Sequence, residues 1–172
     1  MPQQITIRQG KPYDVSNICR LLELAYDGDN MYPPPDPHLV ISWVTNILNE
    51  GYVVVAEKSG RLIGTVAVTP YKFPWSRKWY LYVDWLFVSK GFRVGGVFDG
   101  LLRQLHTYAD ERKAPIFGGV SSGKDARLKD RLMRMKGYQY LGGQFIRELE
   151  VTDGRREEDV EDNEHVHTAE LD

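Results

Sequence analysis

The sequence predicts an α/β (α+β) domain: one mixed sheet of about seven strands with helices on both faces. Three observations predict it. The hydrophobic periodicities run in the order β-α-α-β-β-β-α-β-α-β-β, which is neither strict βαβ alternation nor all-β. Two β-branched runs meet at Ser59-Gly60, the signature of a hairpin. An apolar run, Tyr80 to Val88, enters a turn rich in glycine and cations, Ser89 to Gly96, and the turn opens an amphipathic helix, Val97 to Lys113.

Taken in order, Gln4 to Gln9 alternates through Ile5 and Ile7 as a first strand, and Gly10 to Pro12 turns the chain. Asp14 or Ser16 caps a helix that carries Val15, Ile18, Cys19, Leu22 and Tyr26 on one face. Cys19 on that face reads as a small core hydrophobe. Asp27 to Pro37 is a loop stiffened by three consecutive prolines, and Asp36-Pro37 supplies a cap and a first helical position. The helix that follows places Leu39, Val40, Trp43, Val44, Ile47 and Leu48 on its apolar face and closes at Gly51. Tyr52–Lys58 and Arg61–Thr69 form the hairpin, with Gly64 marking a bulge or a close backbone approach. Pro70 to Lys78 is a connection rich in aromatic and basic residues. After the central unit come a strand at Ile116–Ser121, a helix at Asp125–Lys136 stopped by Gly137, and a closing pair of strands at Tyr138–Leu141 and Gln144–Val151.

Composition narrows the function classes. The 172 residues carry 24 acidic and 22 basic side chains, a net charge of −2. Nine acidic and two basic residues lie between Asp153 and Asp172, which leaves +5 on residues 1–152. Residues 1–152 therefore read as one domain suited to a polyanionic small ligand. Residues 153–172 read as an acidic tail too poor in apolar residues to fold. No apolar run is long enough for a membrane span, and no basic segment leads into an apolar one as a secretory signal would. A single cysteine excludes an internal disulfide and a cysteine zinc site, and with the missing signal it points to the cytoplasm. His38, His106, His165 and His167 are not grouped as metal ligands, so no metal is expected.

The turn explains its own residue types. The first amides of a helix have no partner within it, so a strand–turn–helix unit is a ready anion site. Gly95 and Gly96 remove the Cβ atoms that would hold an anion off the backbone. Lys90 and Arg93 add charge-assisted hydrogen bonds, and the helix start at Val97 adds its positive end. The bland reading is ordinary loop glycines beside solvated cations. A second glycine-rich stretch, Gly118 to Asp125, misses the P-loop pattern at its last position, where Asp125 stands in place of the Mg²⁺-binding hydroxyl.

The run Val88-Ser-Lys-Gly-Phe-Arg-Val-Gly-Gly-Val-Phe-Asp-Gly-Leu-Leu102, in this element order, resembles the GNAT superfamily of acyl-CoA-dependent N-acetyltransferases. Arg93 to Val97 follows the family's Arg/Gln-x-x-Gly-x-Gly/Ala turn, and Phe98 departs from it at the final small residue, narrowing the approach to the pyrophosphate. The resemblance implies a mostly antiparallel, twisted sheet. It implies acetyl-CoA as cofactor, held by Leu86, Phe87, Val88, Lys90, Phe92, Arg93, Val94, Gly95, Gly96 and Val97, with Lys124 at a phosphate. It implies transfer of the acetyl group by direct attack of an amine, and a general base at Asp84. With period two along the strand, Asp84 shares a face with Leu86 and Val88, and Val83, Trp85 and Phe87 point the other way. An ion pair of Asp84 with Arg77 or Lys78 is the alternative. Met133 stands where the family often has an acidic tyrosine. Tyr138, Tyr140 or Ser121 is the substitute donor to the leaving thiolate, with Tyr138 first and solvent as the alternative; the bland reading of Tyr138 and Tyr140 is core or sheet packing.

The acceptor is expected along Tyr26, Asp27, Tyr32 and Trp75, an acidic and aromatic lining that suits a small-molecule amine or a protein amine. A non-catalytic module of the same fold that binds CoA or a protein partner is the second reading, and a nucleic-acid adaptor the third. The bland reading of Trp75 is a solvated loop, and a homodimer stays open.

Overall fold

The computed structural model describes residues 4–26, 34–119 and 126–141. The hairpin expected at Ser59-Gly60 is the centre of a five-stranded sheet. Its strands are β1 (Ile5–Gln9), β2 (Tyr52–Lys58), β3 (Arg61–Lys72), β4 (Trp79–Val88) and β5 (Ile116–Phe117), side by side in that order. All neighbours are antiparallel except β4 and β5, which run parallel.

The expected seven strands are not matched. Tyr138 to Leu141 forms no strand, and the segment 144–151 lies outside the described residues. The aromatic alternation of Tyr138 and Tyr140 is a β signal, but the chain there has only just left a helix through Gly137 (φ 87°). In that exit Tyr138 N donates back to Met133 O at 3.1 Å, as a helix C-terminal turn requires.

Helices lie on both faces, as expected. α1 (Val15–Tyr26) and α2 (Pro37–Glu50) cover one face, and Ile18, Leu21, Val44 and Ile47 pack there on Val53, Val55, Ala67 and Trp85. α3 (Val97–Arg112) covers the other with Val97, Leu101, Leu102 and Leu105 on Val54, Val66, Val68 and Leu81. A short helix α4 (Ala126–Met135) follows β5. Cys19 is buried in the α1–α2 layer, where burial pushes its thiol up and keeps it unreactive.

Several local expectations are corrected by contacts. Asp14 does not cap α1. It closes a 3-10 turn (Pro12–Asp14), where its carboxylate accepts from Lys11 N at 2.8 Å and from Arg8 at 2.7 and 3.0 Å. Burial alone would push this carboxyl up, but the Arg8 and Lys11 hydrogen bonds outweigh it and hold it below the usual range. Asp36 does cap α2, accepting from His38 N and Leu39 N. β3 does not end at Thr69 but continues through Pro70 to Lys72. β2 pairs with β3 only as far as Val68, so beyond it Pro70 faces no β2 acceptor and its missing N–H costs no ladder bond.

Gly64 combines both expected features. The β2–β3 register shifts between Ala56 and Glu57, and Ile63 is the additional residue on β3. A Cβ on Gly64 would sit 3.2 Å from Leu101 Cδ1 and 3.2 Å from Phe87 O. This glycine lets α3 settle onto the end of β4 and so sets where α3 begins. Gly64→Ala is expected to cost about 1–3 kcal/mol through overpacking against α3. Thermal denaturation reads the loss, and an unchanged melting temperature contradicts it.

Candidate active site

Where β4 ends, Ser89 N donates to Ile63 O at 2.9 Å, and a 3-10 turn (Lys90–Phe92) carries the chain off the sheet. Phe92 anchors that turn by packing into the α3-side core. Arg93 Nε donates to Val88 O at 3.2 Å, which draws the guanidinium back across the turn. Gly95 (φ 115°) and Gly96 (φ 83°) then adopt left-handed backbone. A Cβ on either would meet nothing within 4 Å, so the glycines serve the backbone and the space beside their amides is open.

α3 starts at Val97 with Gly96 as a cap that offers no side-chain acceptor. The first helical bond is Gly100 N to Gly96 O, 2.9 Å, which leaves the amides of Val97, Phe98 and Asp99 without an intrahelical partner. Lys90, Val94, Gly95 and Gly96 are exposed around them. Asp99 opposes an anion here, but Lys136 Nζ lies 2.6 Å from its carboxylate and offsets its charge. Phe98 packs against the α3-side core rather than standing free in the turn, so its bulk is taken up by the core.

Leu86, Phe87 and Val88 do not present one surface. Leu86 and Val88 pack on the α3 side, and Phe87 on the α1–α2 side. β5 pairs with β4 only at Leu81 and Tyr82. From Val83 to Val88 the outer edge of β4 has no strand partner among the described residues. An extended ligand with amide groups can hydrogen-bond along such an edge.

Asp84 sits at a fault in β4. Ala67 pairs with Trp85 and Val68 with Val83, so Asp84 is an additional residue with no opposite number on β3. This bulge corrects the expected facing. Val83 packs on the α3 side together with Leu86 and Val88, and Trp85 and Phe87 pack on the α1–α2 side. The period of two breaks at the bulge.

The Asp84 carboxylate accepts from Thr69 Oγ1 at 2.7 Å. It makes no ion pair with Arg77 or Lys78, the alternative that the sequence left open. Burial pushes its carboxyl up, and the hydrogen bonds from Thr69 and its own backbone only partly oppose that. Beside it, Trp85 is fixed by an Nε1–H bond to Thr65 Oγ1 (3.2 Å) and by the edge-on ring of Trp43 at 5.0 Å. Neither Thr69 nor this tryptophan support was recognised in the sequence. A hydroxyl in the strand paired with the one bearing the carboxylate was the available signal.

Tyr138 is placed apart from Asp84. Its hydroxyl is 2.9 Å from His106 Nε2 on α3, and burial pushes its phenol up to about 12. The surface cleft around it, about 340 Å³, is lined by His106, Asp110, Ile116 and Lys136 among others, and by no residue of the glycine turn. Trp75 is 81% exposed at the tip between β3 and β4, and Tyr26 ends α1. Asp27, Tyr32, Ser121 and Lys124 lie outside the described residues. Among the described residues no group of acidic, histidine or cysteine side chains is arranged to hold a metal. No described helix is long and apolar enough to cross a membrane.

The model of the acetyltransferase (GNAT) family matches residues 16–123, more than half of the chain. The chain belongs to this family. Solved structures share the fold of this GNAT chain at low identity. A predicted acetyltransferase from Clostridium acetobutylicum, solved with acetyl-CoA, is 20% identical, with 84% of this chain and 96% of that one covered and a TM-score of 0.70. An aminoglycoside N-acetyltransferase in complex with CoA is 14% identical over 87% and 97% of the two chains, with a TM-score of 0.68. An aminoglycoside acetyltransferase from an uncultured soil metagenomic sample, in complex with sisomicin, is 19% identical over 84% and 96%, with a TM-score of 0.63. Among curated proteins no relative matches significantly.

The backbone of the turn separates its glycines. Gly96→Ala forces an L-residue into left-handed backbone and is expected to cost about 1–2 kcal/mol. Gly91 has neither positive φ nor a close neighbour, so Gly91→Ala is expected to be near neutral. Chemical denaturation of the two variants checks the contrast.

Proposed function

We propose that this GNAT chain is an N-acetyltransferase that takes its acetyl group from acetyl-CoA and delivers it to an amine. The observation that carries this reading is one continuous stretch. A half-buried carboxylate at a bulge of β4, a strand edge without a partner among the described residues, and an open turn of left-handed glycines follow each other along residues 84–96. The glycine turn fits a pyrophosphate, since its amides are unobstructed and Lys90 and Arg93 border it. The edge of β4 fits the amide-bearing arm between pyrophosphate and thioester. That several GNAT structures of this fold hold CoA or acetyl-CoA supports the assignment.

Acetyl-CoA, when bound, supplies an acetyl group on a carbon–sulfur bond that breaks as the carbon–nitrogen bond forms. Asp84 accepts the proton released by the attacking amine, directly or through one water. Its raised pKa makes it a better base than a solvated carboxylate. Thr69 holds the carboxylate in place and restrains that rise. Tyr138 keeps its proton through the physiological range but stands in the separate cleft beside His106, so solvent is the donor to the departing sulfur in this reading.

A second reading, cofactor binding without turnover, is favoured by Met133, which lies half-buried in α4 and has no proton to give.

Saturating acetyl-CoA is expected to raise the melting temperature, and no shift with any acyl-CoA rejects the reading. Asp84→Asn is expected to lower thiol release in the presence of an amine by about 10²-fold or more, with acetyl-CoA affinity kept. Equal turnover in this variant removes Asp84 as the base. The base must be ionised, so activity falls as pH drops through its pKa. Thr69→Val removes a bond that favours the ionised form, so the acidic limb of the kcat/KM profile is expected to move to higher pH. A limb that stays or moves down contradicts the role of Thr69.

A further inference from the structure

The sheet face that carries Asp84 continues outward as a row of rings. Thr69, the partner of Asp84, pairs across the ladder with Tyr82, and Tyr71 with Tyr80, so these side chains share one face. Tyr71 lies 6.0 Å from Tyr80 and edge-on to Tyr82 at 6.1 Å. Phe73 stacks on Tyr80 at 4.4 Å and on Trp75 at 5.4 Å, and Phe117 of β5 backs the row. The row stands open, with Tyr82 40%, Tyr71 50% and Trp75 81% exposed. At its outer end are Arg77 and Lys78, both exposed and without an ion-pair partner among the described residues. There is no acidic residue between Tyr71 and Tyr80.

We propose that this aromatic row is the acceptor track, and that the acceptor is a peptide amine, N-terminal or lysyl, with an acidic residue four or five positions away. The proposal rests on the reading of Asp84 as the base. Length is the first argument. From Asp84 to Trp79 at the outer end of β4 is about 17 Å at roughly 3.3 Å per residue. A small amine spans a fraction of that, and about five residues of extended peptide span it all. Charge is the second. The track has a carboxylate at the inner end, where the amine reacts, and at the outer end two cations with no ion-pair partner among the described residues, where an acidic side chain is attracted and a polycation repelled. The rings are the third. They already stack on one another and offer edges, which suit aliphatic side chains and the peptide backbone better than they suit an intercalated base. Asp84 also repels a phosphodiester chain.

The test uses the full chain, acetyl-CoA and four acceptors: the peptides Ala-Ser-Ala-Ala-Glu-Glu and Ala-Ser-Ala-Ala-Arg-Arg, which each carry one amine, kanamycin and 2-phenylethylamine. The acidic peptide is expected to show the lowest KM, about tenfold below the basic one. Arg77→Glu with Lys78→Glu is expected to reverse that order, and Tyr71→Ala to raise KM for both peptides with kcat kept. Retention of the acetyl-CoA thermal shift shows that the variants are folded. Preference for kanamycin or 2-phenylethylamine, an order unchanged by the charge reversal, or salt-sensitive displacement of the acidic peptide by single-stranded DNA overturns the proposal. Fluorescence anisotropy of the labelled acidic peptide reads the track without turnover. Binding lost on charge reversal upholds the track even where Asp84 proves not to be the base, and binding indifferent to it sinks the track alone.

Discussion

One additional residue in β4 organises the candidate site. Had β4 paired with β3 without a bulge, strict alternation would have held through residues 83–88, with Asp84 on the face opposite Trp85. It would have shared the α3-side face with Leu86 and Val88, among apolar side chains and away from Thr69. The bulge between Val83 and Trp85 breaks that order and leaves the carboxylate 2.7 Å from the Thr69 hydroxyl. Burying a carboxylate is costly unless it is hydrogen-bonded, and the bonds from Thr69 and from its own backbone offset that cost while still leaving its pKa raised.

The surrounding packing holds the fault in place. Trp85, next to the bulge, is locked by Thr65 from within the sheet and by Trp43 from α2, so β4 cannot slide by one residue without breaking both. On the other face, Val97 and Leu101 pack on the same strands and set the start of α3 just beyond the end of β4. A second bulge at Ile63, with the missing side chain of Gly64, admits α3 at that distance. The first irregularity decides which face the carboxylate occupies, and the second, with Gly64, allows the close approach of α3 to the end of β4.

The electrostatics divide along that strand. The turn offers backbone dipoles and two cations to an anion, with Asp99 offset by Lys136. The half-buried Asp84 carboxylate, bonded to Thr69, lies upstream on the same strand, and the row of rings beyond it leads to Arg77 and Lys78. Tyr138 belongs to a different neighbourhood, with His106, Asp110 and Lys136 in the cleft beside α3. The separation follows from the Gly137 exit, which turns Tyr138 back toward α4 and α3.

The sequence by itself determined the element order from β1 to α4, the Ser59-Gly60 hairpin, the Asp36 cap, the Gly137 stop and the glycine turn. These are local matters, set by backbone preferences and by the periodicity of a few neighbouring residues, and the residues that decide them are adjacent in the chain. It marked Asp84 because a charge inside an apolar run is conspicuous at any distance. The tertiary structure alone decided which face Asp84 occupies, that Thr69 rather than Arg77 or Lys78 is its partner, that Asp14 binds Arg8 instead of capping α1, that β3 runs through Pro70, and that Tyr138 meets His106. Each depends on the register of one strand against another or on the reach of one element to another, and register is settled by the summed packing of both faces of the sheet, which no single stretch of sequence records.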